Sequence, residues 1–281
     1  MYIAILKTKE VDYCFSKPRA IFRKMNLSSS ATVATFLLSL VGSALAFQPT
    51  SFLGQTTHNP VRAASSPSST TLSMVTTGPL NCRMVGIGSA APKTVITNKD
   101  LENVVETSDE WISTRTGISE RHVLLHDSDE TIKTISISAA TEALEMSGVP
   151  AEEIDLVIVA TSTPDDIFGD ATSVAAALGC VNAVAFDLTA ACSGFLFSSV
   201  IAGQFLGHAD NSYKNAIVVG ADAMSRWINW DDRNSCILFG DGAGAAVFSA
   251  DGDHNGDKST FGILGSSAHS NGQSYDKLNC G

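Results

Sequence analysis

An unbroken apolar run, Asp155-Leu-Val-Ile-Val-Ala-Thr161, lies between two stretches with helical spacing. It is short, rich in β-branched residues and has no polar face, the pattern of a strand covered on both sides. A strand of that kind between helices belongs in a parallel or mixed central sheet. The residues that follow keep the alternation. Ala171 to Leu178 reads as a helix stopping at Gly179, Ala183 to Leu188 as a strand, and the segment opened by Cys192 as a helix reaching about His208. Ala216 to Ala221 is a further strand, Gly240 to Phe248 brings glycines and then another, and Phe261 to Gly265 starts one more. The expected fold class is α/β.

Upstream, Leu80 to Ile87 reads as a first strand. Gly86-Ile-Gly-Ser-Ala-Ala91 matches the dinucleotide fingerprint G-x-G-x-x-A in letters only, because Pro92 and the extended Val95-Ile96 follow where a helix would have to begin. The expectation here is a strand-to-loop turn. Thr97 and Asp100 form a capping-box-like pair before Leu101, Val104 and Val105, which share one helical face. A second helix starts at Ser108 and stops at Gly117, with Trp111 and Arg115 on the same side. A third is capped near Ser128, carries Ile132, Ile135, Ala139 and Leu144, and ends at Gly148-Val-Pro150.

The chain has 281 residues, and 44% of them are hydrophobic, enough for a folded core. Its net charge of −11 is unevenly spread: residues 1–80 hold seven Lys/Arg against two Asp/Glu, and the remainder holds 11 against 27. An acidic body of this kind excludes nucleic acid as a partner. The cysteines Cys14, Cys82, Cys180, Cys192, Cys236 and Cys280 form no CxxC pair and no metal-spaced set with histidine, so neither zinc, nor a disulfide framework, nor a cofactor is implied. Arg23 and Lys24, a mostly apolar Ala31 to Leu45 and small residues ending at Ala46 mark residues 25–46 as a secretory signal peptide. The run is too short, and too close to its cleavage site, for stable membrane insertion. Residues 47–79 start at Phe47 and are rich in Ser, Thr and Pro, with Arg62 as the only charge to Met74, as in a transit peptide. The two signals in series resemble the bipartite presequence of algae with secondary plastids, which implies the plastid stroma. Residues 1–24 precede a better start at Met25 and are read as a gene-model extension.

Asp187-Leu-Thr-Ala-Ala-Cys-Ser-Gly-Phe195 sets Cys192 at the junction of an apolar strand and an apolar helix. A thiol there faces the positive end of the helix and unbonded N–H groups, which favours the thiolate. The small neighbours Ala190, Ala191, Ser193 and Gly194 leave room for a substrate. Position alone leaves the reactive and the buried-structural readings evenly matched.

Thr-Ala-Ala-Cys-Ser-Gly-Phe resembles the nucleophile motif of β-ketoacyl-acyl-carrier-protein (ACP) synthase III, in the thiolase superfamily. Three more blocks agree in order and spacing over roughly residues 82–250: Thr107 to Ile118 with Glu120-Arg-His122, Asp231-Asp-Arg233 leading to Phe239-Gly-Asp-Gly-Ala-Gly-Ala245, and Gly86 to Pro92. The resemblance implies a thiolase-like fold of αβαβα layers in two similar halves, with residues 80–250 as the N-terminal half and 251–281 as the start of the other. It implies that Cys192 is acetylated by acetyl-CoA, that Trp111 and Arg233 sandwich the adenine, and that Thr107 and Arg115 contact the nucleotide end. Phe168 matches a position lining the acyl pocket across the family's homodimer interface, with core packing as the alternative. Ser119 departs from the arginine that some members carry there. The second substrate implied is malonyl-ACP, in the initiating step of type II fatty-acid synthesis. The family's catalytic histidine and asparagine have no counterpart in context among His58, His122, His126, His208, His254, His269, Asn271 and Asn279, so the chain is read as C-terminally truncated. Another ketoacyl or polyketide synthase of the superfamily, or a catalytically incomplete homologue, are the alternatives.

Overall fold

The structure is a computed structural model, and it describes residues 75–78, 80, 82–126, 128–207, 212–250 and 262–272. The signal peptide, the transit segment to Met74, Cys14, Cys280, His58, His208, His254 and Phe261 lie outside the described residues. The described residues fall in a compact unit spanning Leu72–Gly281.

The central sheet has five strands in the order β2-β8-β7-β5-β6: β2 is Cys82–Ala90, β5 Leu156–Ala160, β6 Val184–Leu188, β7 Asn215–Ala223 and β8 Asp241–Ala250. β5 runs parallel to both β6 and β7, and β8 is antiparallel to β7 and β2. The mixed α/β sheet expected around Asp155 to Thr161 is therefore present. All of β5 is buried. Its period of two sends Leu156 and Ile158 to one face, against Ala202 and Leu206 of helix α5 (Gly194–Leu206). Val157 and Val159 go to the other face, against Ile132, Ile135, Ala139 and Ala143 of α3 (Ile132–Ser147) and Val174 of α4 (Ala171–Leu178). Each such side chain contributes about 1.5–3 kcal/mol by leaving water.

Gly86 to Ala90 is strand, not the expected turn, paired with β8 beyond a register shift between Met84 and Gly86. A Cβ on Gly86 or Gly88 would collide with the carbonyl oxygens of Ala143 and Ala139, so these glycines let α3 lie directly on β2. α3 itself begins later than expected. Thr131, not Ser128, caps it and forms a capping box with Thr134, while the Ser128 hydroxyl donates to the Leu125 carbonyl. It stops at Gly148 in the left-handed conformation.

A small antiparallel pair, β3 (Thr94–Thr97) with β4 (Glu120–Val123), brackets α1 (Asn98–Leu101) and α2 (Asp109–Thr116). The Thr97–Asp100 capping box is formed, but α1 ends after one turn, so Val104 and Val105 follow it in turns and do not extend its face. α2 has Ser108 as N-cap and Gly117 as left-handed C-cap, as the spacing predicts. Downstream, α6 (Arg233–Cys236) is a short helix missed in the sequence, its Asp232 cap accepting from Asn234 N–H. β1 (Val75–Thr77), within the segment read as transit peptide, pairs with β9 (Ser266–Ala268). The strand expected from Phe261 therefore forms later, at Ser266.

Candidate active site

β6 does not run straight into α5. Ala191–Ser193 make a 3₁₀ turn between them, and Cys192 sits in that turn, exposed, rather than in the first turn of the α-helix. Ala191 has φ = 45°, the left-handed region, and it is the one described non-glycine residue with positive φ. An L-residue there costs about 1–2 kcal/mol, and strain of this kind persists only where surrounding structure imposes it. The turn itself, Ala191 to Ser193, is exposed, and the close packing is at Gly194. A side chain at Gly194 would come within 3.0 Å of Ala160 Cβ, at the end of β5, and the Thr189 hydroxyl donates to Thr161 O at 2.9 Å. The N-cap of α5, Ser193, makes no side-chain cap bond, which leaves the first-turn N–H groups without a side-chain acceptor. Of the described cysteines only Cys192 is exposed; Cys82, Cys180 and Cys236 are buried. Burial pushes the Cys180 thiol up to about 11, and burial, then the Asp232 charge, raises that of Cys236. Neither is suited to attack a thioester at neutral pH.

Phe168 is 96% exposed, which removes core packing as its explanation. It lies in a loop fixed by Asp187 of β6, whose carboxylate accepts from Asp170 N–H at 3.0 Å and Ala171 N–H at 2.9 Å.

At the β3–β4 side, Trp111 is half-buried and two guanidiniums lie over its ring, Arg115 and Arg233, each 4.3 Å from the centroid. Residues far apart in sequence are thus brought together as expected. Arg233 also donates to Glu106 O at 3.1 Å, and beside it is a depression of about 400 Å³ lined by Val104, Val105, Glu106, Asp231 and Arg233. Thr107 Oγ1 is buried without a hydrogen-bond partner, an unsatisfied atom that a bound polar group would relieve. Because Arg233 rests directly on Trp111, no slot for a purine is open between them. A ring stacked on both would need them roughly 7 Å apart, which would require Arg233 to release Glu106 O.

His122 contacts the Pro92 carbonyl through Nδ1. Among the described residues no group of three or more His, Cys, Asp or Glu could hold a metal, and no helix is long and apolar enough to cross a membrane.

Residues 186–272, which contain the Cys192 turn, match the family model for 3-oxoacyl-ACP synthase III. A β-ketoacyl-ACP synthase III of Acaryochloris marina is 50% identical over 196 residues, 70% of this chain and 56% of that protein. Over these stretches the chain is similar to the 3-oxoacyl-ACP synthase III family. The solved synthase III of Aquifex aeolicus is 45% identical, with TM-score 0.57 over 61% of this chain and 55% of that one, so the fold is the family's thiolase-like α/β arrangement. A solved priming β-ketosynthase from a polyketide biosynthetic pathway is 37% identical, with TM-score 0.57 over 62% of this chain and 51% of that one. The chain spans about half the length of the curated relatives it matches.

Proposed function

We propose that Cys192 accepts an acetyl group from acetyl-CoA and that the protein condenses it with malonyl-ACP, giving acetoacetyl-ACP, carbon dioxide and CoA. The observation that carries this reading is an exposed thiol on a strained turn at the side-chain-uncapped start of α5, in a chain similar to this family. In the first step the Cys192 thiolate attacks the acetyl carbonyl carbon, the bond from that carbon to the CoA sulfur breaks, and the CoA thiolate takes up a proton. The positive end of the α5 dipole suits the oxyanion formed on the way. In the second step the malonyl group loses carbon dioxide, the resulting carbanion attacks the same carbonyl, and Cys192 Sγ leaves. That step draws on the family's histidine and asparagine.

Trp111 and Arg233 take the two faces of the adenine, with Thr107 and Arg115 at the nucleotide end; their support is the guanidinium–indole stack and the unsatisfied Thr107 hydroxyl. Phe168 lines the acyl pocket of a second copy in a homodimer. Its exposure, and that of Val181 and Val184 near the unpaired edge of β6, supports such an interface. Delivery to the plastid stroma rests on the sequence of residues 25–79. The second reading, priming of a polyketide synthase, has the 37% identity to the solved ketosynthase in its favour.

Incubation of the chain with acetyl-CoA should place an acetyl thioester on Cys192, and Cys192→Ala should acquire none; with the family's histidine and asparagine supplied, malonyl-ACP should then yield acetoacetyl-ACP. Failure of the unaltered chain to form the thioester at saturating acetyl-CoA contradicts the proposal. Preference for a polyketide carrier protein over the fatty-acid one favours the second reading.

A further inference from the structure

Arg121, on β4, is a buried cation, 5% exposed, and among the described residues no carboxylate is paired with it. Burial lowers its pKa, and its Nε has no partner. An arginine kept at that cost needs a use for its planar fork. Nη1 donates to Ile96 O at 3.2 Å, while Nη2 donates to Asn98 Oδ1 at 2.9 Å and to Ile237 O at 3.0 Å. Ile237 directly follows α6, the helix opened by Arg233. Asn98, 1% exposed, passes the connection on: its Nδ2 donates to Asp109 Oδ1 at 2.8 Å, Ser113 Oγ at 3.3 Å and Ile118 O at 2.6 Å. Asp109 and Ser113 belong to α2, which carries Trp111 and Arg115. A continuous run of hydrogen bonds therefore joins the helix of one clamp wall to the helix of the other.

We infer that Arg121 and Asn98 are positioning residues that set the spacing of α2 and α6, and so the affinity for the nucleotide end of an acyl-CoA, without touching the substrate. The inference rests on Trp111 and Arg233 being the purine clamp. It follows from the division of labour between the two arginines. The Arg233 side chain must swing to admit a ring, whereas the backbone carrying it must stay where it is relative to Trp111. A lysine at 121 cannot replace the fork, because a single ammonium cannot donate along the diverging directions to Ile96, Asn98 and Ile237.

The test compares acetyl-CoA with acetyl-pantetheine, which carries the same thioester but no nucleotide. Arg121→Lys should raise KM for acetyl-CoA about tenfold with kcat kept, and leave kcat/KM for acetyl-pantetheine unchanged. Asn98→Asp gives Arg121 a counter-ion but removes the donors to α2, so it should show the same split even if Arg121→Lys does not accumulate folded. Equal losses with both thioesters, or no loss with either, in the folded variants overturns the positioning role. Trp111→Ala, run alongside, separates the two claims: if it leaves KM for acetyl-CoA unchanged, the clamp itself is wrong.

Discussion

Around Cys192 the chain is held by backbone and by residues too small to adjust: Ala191 in the left-handed region, Gly194 against Ala160, Thr189 tied to Thr161. Around Trp111 it is held by polar side chains reaching across more than a hundred residues, from Arg121 to Ile237 and from Arg233 to Glu106. The first arrangement stands at the ends of two central strands, the buried β5 and its neighbour β6. The second sits on helices of four and eight residues and includes an exposed guanidinium bonded to one carbonyl. Acyl transfer, the role proposed for Cys192, needs an atom fixed to within a fraction of an ångström, while nucleotide binding, the role proposed for the Trp111 side, tolerates a side chain that swings.

The sharpest way to break that contrast is at Ala191. Ala191→Val forces a β-branched residue into the left-handed region and should cut the acetylation rate about 100-fold, whereas Ala191→Gly, which relieves the strain, should keep it; single-turnover mixing with acetyl-CoA measures both. If Val is tolerated, the turn is not rigid. At the other end, Trp111→Ala should raise KM for acetyl-CoA about tenfold, the equivalent of about 1.4 kcal/mol, with little change in kcat. A large fall in kcat there would mean that clamp and nucleophile are not separate devices. The smallest effect concerns Asp165 and Asp170.

Burial raises the Asp165 pKa, but the Lys133 N–H and Arg226 outweigh it, so the carboxyl lies below the ordinary range. A depressed folded pKa stabilises above the unfolded value and is lost as pH falls through the folded one. Arg226→Ala should therefore lessen the loss of stability between about pH 5 and pH 3. The change, read from urea midpoints, should be below about 1 kcal/mol. Asp170, raised chiefly by burial, has the opposite sign: it favours the fold when protonated, a contribution lost as pH rises.

What could be read from the sequence was whatever a single residue type announces. Gly117, Gly148 and Gly179 mark helix ends, the Asp155 to Thr161 run marks the central strand, and Cys192 lies at the expected junction between β6 and α5. Features that depend on partners distant in sequence were not legible. Nothing about Ala191 signals a positive φ, since alanine is at home in a helix or a strand. Gly86 and Gly88 read as a turn because their reason, the close approach of α3, lies more than fifty residues downstream. Nothing in Glu120-Arg-His122 marks Arg121 as buried; that depends on the pairing of β3 with β4. The spacing put the α3 cap near Ser128, whereas the bond from Thr134 N–H places it at Thr131.

The most direct test of the central claim is intact-mass and peptide mapping of the full chain after brief exposure to acetyl-CoA alone. The account predicts a single added acetyl group, on the peptide containing Cys192, that hydroxylamine removes and that Cys192→Ser does not acquire as a thioester. An acetyl group on any other cysteine, or none on the folded chain, would contradict it.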